Sequence, residues 1–449
     1  MVNPRLIRFG AIGGVAALAA SGLAACSSSA NVGGDGADGT DQTLEVWTRS
    51  NPESAASYQF AFDAFTEQTG ITIDYQPVEE FDTQLQARAQ QGDLPDVFVN
   101  DAGSLGNYAS QGLVLPVDPA EIEGSDAIPQ STWEENVGTD GTIYAVPFSR
   151  QAVATMVRKD WREALGLEQP TTWDELTELA EAFATQDPDG NGKDDTYGMV
   201  VPGSAQSGYI FRWGVPYIYQ AGGDILADNG DGTFTAVFDS PETATAVEWI
   251  QEQFCTPGVV VPGSVNLTTA DTPFFGQGTA GIYLTGPYNI STFDDQVGAE
   301  NVEIIPMPQG PAGVTSWSEG ENIYLGASSE KADLQKQLAA FLVTPEAQEL
   351  MMKAETNDDG VLAQPVVRLP VNENVNVGEV KDDERWDLVA DAYADSKHFP
   401  WSIDFLPYRQ IVADGMNAIV ADCHADVAAG VASVNEQLAA QLESDGLAG

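Results

Sequence analysis

Leu44-Glu-Val-Trp-Thr48, Ile71-Thr-Ile-Asp-Tyr75 and Asp96-Val-Phe-Val99 are three short runs rich in β-branched and aromatic residues, and what separates them decides the fold. Each run has the composition of a strand. Between the first two, Glu53 to Gln68 places apolar residues at helical spacing and Gly70 ends the pattern. Between the second and third, Thr83 to Gln91 reads as another helix. The opening hundred residues are therefore βαβαβ, which predicts an open, mainly parallel sheet covered by helices. The same grammar recurs downstream. Thr172-Trp-Asp-Glu175 is a capping box for a helix reaching Gln186. Ser240-Pro241 and Thr344-Pro345 each set an N-cap residue before a proline at the first helical position. Helices are predicted over 241–254, 329–342 and 345–354, and Arg409 to Val420 and Asp426 to Leu442 supply two more.

Upstream of this body, Arg5 and Arg8 precede an apolar, Gly/Ala-rich stretch from Phe9 to Ala20 and then Leu23-Ala-Ala-Cys26. The apolar run is shorter than the roughly 20 residues that cross a bilayer, so it reads as an export signal. Leu23-Ala-Ala-Cys26 resembles a bacterial lipobox. That resemblance implies that residues 1–25 are a leader, and that Cys26 carries a diacylglycerol holding the protein on the outer face of the cell membrane. Residues 26–42 are small and polar, and read as a flexible tether of roughly 20 to 24 Å.

Residues 43–449 are more than one hydrophobic core usually organises, so two lobes are expected. The chain has 18 Lys and Arg against 68 Asp and Glu, a formal charge of −50. Nucleic acid and anionic lipid surfaces are thereby excluded as partners, since both repel such a surface. In an exported protein Cys255 and Cys423 are free to pair, the alternative being two separate buried thiols.

Longer strings resemble one family. Leu94-Pro-Asp-Val97, Gly112-Leu113 leading to Pro116, and Tyr144-Ala-Val-Pro147 come first. Arg158-Lys-Asp-Trp161, Leu165-Gly-Leu167, Pro170 and Thr172-Trp-Asp-Glu-Leu176 follow. Phe275-Gly-Gln-Gly-Thr-Ala280, Gly286-Pro-Tyr288 and Phe341-Leu-Val-Thr-Pro-Glu-Ala-Gln348 complete the set. In this order they resemble the extracellular solute-binding proteins of the maltose-binding type, family 1. The resemblance implies an α/β fold of two lobes, periplasmic-binding-protein-like (type II), each lobe a mainly parallel sheet flanked by helices, with several hinge crossings. It divides the chain into lobe one at 43–147 and 318–366, and lobe two at 148–317 and 367–449. Crossings fall near Pro147, Trp317 and Val366. Ligand is held between lobes that close about these crossings. The implied role is the substrate-binding component of an ATP-driven importer: a monomer that delivers a sugar to membrane permease subunits and needs no cofactor.

A sugar presents hydroxyls around a ring with apolar C–H faces, so its site needs aromatic platforms and a few directed polar groups. Tyr209, Phe211, Trp213, Tyr217 and Tyr219 fall within eleven residues. Tyr209 and Trp213 are the candidates there, and the competing reading is one face of a core strand. By resemblance, Trp47 begins the first ligand-contacting loop and Asp101 places a carboxylate on sugar hydroxyls. Gln151 stands where maltose binders carry an acid, a departure that turns the reading away from maltose itself. Tyr288 replaces a stacking tryptophan, and Trp401 or Tyr408 supplies another ring. Trp317 and Glu319 flank a crossing.

Asp187, Asp189, Asn191, Lys193 (through its carbonyl) and Asp195 match the start of a calcium loop, although position 12 is Gly198 in place of the bidentate glutamate. Structural calcium is the one metal this suggests. Neither a Gly-x-Ser-x-Gly elbow nor a phosphate-binding loop is present, and only His398 and His424 are available as histidines. A secreted carbohydrate-active enzyme is thus a lesser reading. The closer rivals keep the fold and change the ligand. Tyr217 with Tyr219 would suit ferric iron, Asp101 with Glu319 a polyamine, and a peptide is a third option.

Overall fold

The computed structural model describes residues 42–449; the leader, the tether up to Asp41 and Cys26 lie outside the described residues. Thirteen strands follow in chain order: β1 (Thr43–Arg49), β2 (Thr72–Val78), β3 (Val97–Asp101), β4 (Val146–Ala152), β5 (Ala154–Arg158), β6 (Tyr197–Val200), β7 (Leu226–Asp228), β8 (Phe234–Ala236), β9 (Ala280–Thr285), β10 (Val302–Ile305), β11 (Ser316–Leu325), β12 (Leu369–Pro370) and β13 (Ser396–Lys397). They form a seven-stranded sheet in the order β12-β4-β11-β3-β1-β2, with β13 added beside β11, a four-stranded sheet β10-β5-β9-β6, and the small hairpin β7-β8.

The predicted βαβαβ opening is present. The Pro52–Thr69 helix is capped by Asn51, whose side chain accepts from the Ser54 N–H, and ends at Gly70 in the left-handed conformation. The strands β1, β2 and β3 pair in parallel. Thr172 Oγ1 accepts from the Glu175 N–H as the capping box requires, while the Glu175 carboxylate reaches back to the Thr171 N–H. Ser240 and Thr344 cap their helices as predicted.

Both sheets are mixed, a departure from the mainly parallel sheets expected. In the first, β11 runs antiparallel to β3 and β4; in the second, β5 runs antiparallel to β9 and β10. The strands that carry the chain between sheets impose this. The chain leaves the first sheet at Ala152 and enters the second at Ala154 almost without a break, beyond the crossing expected near Pro147. It returns at Ser316, where the backbone N–H of Val153 donates to the Trp317 carbonyl. β12 keeps residues 369–370 on the edge of the first sheet.

Each sheet has its own core. Leu44, Val46, Val97, Val99, Phe62 and Phe65 are fully buried around the first. The second is covered by the Tyr209–Ala221 and Pro241–Cys255 helices and by the two C-terminal helices, Phe405–Val420 and Val427–Asp445. Gly214 permits their close approach, since a Cβ there would lie 2.3 Å from Met416 Cε. A Cys255–Cys423 disulfide, Cα atoms 5.6 Å apart, ties the end of one such helix to the turn after Val420. No helix among the described residues is long and apolar enough to cross a membrane.

Candidate functional site

The C-terminal ends of parallel strands are where an open α/β sheet presents its loops and binds ligands. Here β1 ends in Arg49 and β3 in Asp101. Register then sets the rest. Glu321 on β11 lies directly opposite Asp101, and Glu319, two residues earlier on the same face, lies opposite Gln151 on β4. Two carboxylates facing each other across a ladder repel, so this face needs cations.

Arg49 pairs with Asp101 and stands 4.0 Å from Glu321. Arg368, just before β12, lies 3.0 Å from Glu321. From the second lobe, Arg212 in the first turn of the Tyr209–Ala221 helix reaches Glu319 at 2.9 Å and Asp101 at 3.9 Å. Arg409 enters from the Phe405–Val420 helix and lies over the Phe405 ring. Its stem passes Gly208, where a Cβ would meet Arg409 Cγ at 2.5 Å; Gly208 also has a φ of +72°. A glycine is required there on both counts.

Burial raises the Asp101 carboxyl, but Arg49, Arg212, Arg409 and Arg368 outweigh it and hold the group below the ordinary carboxylate range. Asp101 is thus the focus on which all four guanidinium groups converge. Arg212 is held more firmly protonated, chiefly by Glu319. Arg409 moves the other way: burial, reinforced by Arg212, lowers it to about 10.

Arg49, Asp101, Arg212, Glu319, Glu321 and Arg368 line a cavity of about 440 Å³ between the two lobes, with Tyr58, Gln151, Tyr288 and Asn289 completing the wall, while Arg409 lines the recess adjoining it. That volume lies within the range of small-molecule sites. Tyr58 Oη donates to Glu321 at 3.1 Å, and Gln151 Nε2 to Glu319 at 3.3 Å. Half-buried Tyr288 offers a ring over which the Arg368 guanidinium sits at 5.9 Å. Trp317, Trp401 and Phe405 close the inner end around a narrow extension of about 30 Å³, room for little more than water. Two larger cavities, of about 530 and 940 Å³, are not lined by the first sheet's strands.

Of the residues expected from sequence, Asp101, Gln151, Tyr288 and Glu319 come together in this cavity, and Trp317 and Trp401 at its inner end. Tyr209 begins its helix beside the cleft, half-buried but outside the cavity wall. Three expectations are corrected. Trp47 is 6% exposed inside β1, wedged against Phe81 with Arg88 over its ring and its Nε1 donating to Glu45. Trp213 is 2% exposed and packs on Tyr217 and Phe254, because the aromatic run is neither loop nor strand but a helix buried nearly all round. Tyr408 is fully buried with its hydroxyl on Asp445. Tyr217 and Tyr219, the rival iron ligands, are in the same buried helix.

In the 187–195 loop, the Asn191 amide donates to Asp189 at 2.7 Å and Asp195 at 3.1 Å, and the Gly192 N–H to Asp187. The loop oxygens are spent largely on the loop's own donors, leaving Asp187 Oδ1 without a partner. Among the described residues, no three His, Cys, Asp or Glu side chains are disposed to hold a metal ion. Sequence reading missed Arg49, Arg212, Glu321, Arg368 and Arg409. The signal available was scarcity: an arginine at the end of a strand is conspicuous in so acidic a chain.

The family model described as bacterial extracellular solute-binding protein matches residues 49–349. A polygalacturonan/rhamnogalacturonan-binding protein of Bacillus subtilis is 30% identical over 41% of this chain and 38% of its own length. A fructooligosaccharide ABC transporter substrate-binding protein of Streptococcus pneumoniae is 27% identical over 61% of this chain and 54% of its own. The matches thus span about a third to a half of these relatives. Among solved structures, maltose-bound MalE3 of T. maritima superposes with a TM-score of 0.74 at 19% identity, covering 88% of this chain and 98% of that one. An ABC transporter solute-binding protein of Thermotoga lettingae bound with α-D-tagatose gives 0.74 at 18% identity, covering 89% and 99%. At such identities the likeness establishes the two-lobe fold.

Proposed function

The chain belongs to the bacterial extracellular solute-binding protein family, and on that premise we propose that it is the substrate-binding component of an ATP-driven importer, capturing a sugar or oligosaccharide in the interlobe cleft and handing it to a membrane permease. In this reading Cys26 carries the lipid that keeps it on the outer face of the cell membrane, and the protein works as a monomer. The observation that carries the reading is the cleft itself. It joins an aromatic face at Tyr288 to directed polar groups at Asp101, Gln151 and Glu319 between lobes that belong to different sheets. The ligands for which the relatives are named, fructooligosaccharide and polygalacturonan, support a saccharide.

The carboxylates argue for a receptor over a glycosidase. A general acid needs a raised pKa, and Asp101 is depressed while Glu319 is committed to Arg212. A polyamine is disfavoured because Asp101, Glu319 and Glu321, the carboxylates it would need, are already paired with Arg49, Arg212 and Arg368.

A thermal-shift screen of the protein against mono- and oligosaccharides, polyamines, peptides and metal ions tests the reading. A ligand specific to the folded state stabilises it by about 2.7 kcal/mol at a hundredfold excess over Kd. The expected result is a shift with one saccharide class and no turnover of it. Shifts confined to spermidine, peptides or metals would overturn the ligand class.

A further inference from the structure

We infer that the saccharide held in this cleft is anionic, its rings carrying carboxylate groups or, as another source of the same charge, sulfate or phosphate esters; this rests on the sugar-receptor reading above. The charge balance of the cleft is unlike that of the chain. The whole sequence has 18 cationic residues against 68 acids. The cleft wall brings together four arginines and four carboxylates: Asp101, Glu319, Glu321 and Glu79 at the rim. A surface so acidic repels an anion at long range, and a cleft whose guanidinium groups match its carboxylates in number removes that repulsion locally while presenting donors to an anion.

The arginines are not all consumed by their neighbours. Arg49, Arg212 and Arg368 answer Asp101, Glu319 and Glu321. Arg409 makes no close ion pair: among the described residues no carboxylate lies within ion-pair distance of its guanidinium, Asp101 and Glu319 act on it only from farther away, and the Phe405 ring lies beneath it. The buried Nε of Arg212, Arg368 and Arg409 each lack a hydrogen-bond acceptor, Arg212 despite its proximity to Glu319. Unmade charge-assisted donors are costly when buried. Guanidinium groups match carboxylate, sulfate and phosphate oxygens in planar, paired geometry. A neutral ring would be served as well by amides, and would leave Arg409 without an anionic acceptor in contact.

Calorimetric titration of the protein with galacturonate and glucuronate mono- and oligosaccharides, each beside its carboxyl-reduced neutral counterpart, tests this; sulfated and phosphorylated sugars form separate arms that identify the source of charge. An anionic ligand should bind at least about tenfold more tightly than its neutral counterpart, with the advantage shrinking as salt rises. Arg409→Gln should collapse that ratio towards one, whereas Arg409→Lys should retain most of it. Neutral sugars binding as well as their anionic partners would overturn the inference and leave the sugar-receptor reading standing. Binding by neither series would remove both.

Discussion

Arg162 and Arg409 show how the same side chain serves two ends. Arg162, in the second lobe, spends its donors fully: Nε and Nη2 fork onto Glu303 at 2.6 and 3.0 Å, and Nη1 donates to the Leu167 carbonyl at 2.7 Å. Gln169 completes Glu303 at 2.7 Å. Both ionic side chains are 10% exposed. Arg409, in the cleft, sits over a phenyl ring with its Nε unpartnered. A closed set of hydrogen bonds marks a group that holds the fold; an open one marks a group awaiting something else.

Substitution should separate the two kinds of region. Arg162→Ala strands Glu303 in a buried setting and should cost about 3–5 kcal/mol of stability, read by denaturant unfolding, with ligand affinity unchanged. Trp213→Ala, which opens a cavity among Tyr217 and Phe254, should cost a similar amount, about 3–5 kcal/mol, again without a specific loss of binding. Reducing the Cys255–Cys423 disulfide should lower unfolding stability by about 2–4 kcal/mol. Tyr288→Ala belongs to the other region: it should weaken saccharide binding by about 1–3 kcal/mol in a titration and leave the melting temperature of the free protein in place.

The smallest effect is on pH. Burial against Trp401, only partly offset by the Phe399 carbonyl and Glu135 and reinforced by Arg150, holds His398 below the ordinary histidine range. As pH falls below about 6.5, the unfolded chain takes a proton that the folded chain resists, so stability declines on the acid side. His398→Gln should flatten that part of a stability–pH profile.

The fold was legible where local chemistry and topology agree. Asn51, Thr172, Ser240 and Thr344 announce their helices, and the three opening runs pair as predicted. Strand direction at the crossings was not legible, because β11 pairs with β3 and β4 across more than a hundred residues of sequence. Within the cleft, Asp101, Gln151, Tyr288 and Glu319 could be found because they adjoin recognisable strings or a predicted crossing. The arginines stand at 49, 212, 368 and 409, each isolated in sequence and gathered only by the closure of the chain. Trp213 misled for the opposite reason. A dense aromatic run containing Gly214 and Pro216 looks like a binding loop, yet Trp213 and Tyr217 lie four apart on one helical face and build a core.

The most direct test of the cleft as the binding site is hydrogen–deuterium exchange with and without a saccharide that stabilises the protein. New protection should concentrate in segments around Arg49–Ser54, Asp101–Ser104, Tyr288–Asn289 and Gln364–Arg368, which face one another across the cleft. Protection confined instead to the cavity beside Gly106 and Asp140, or to that beside Lys159 and Glu300, would contradict it.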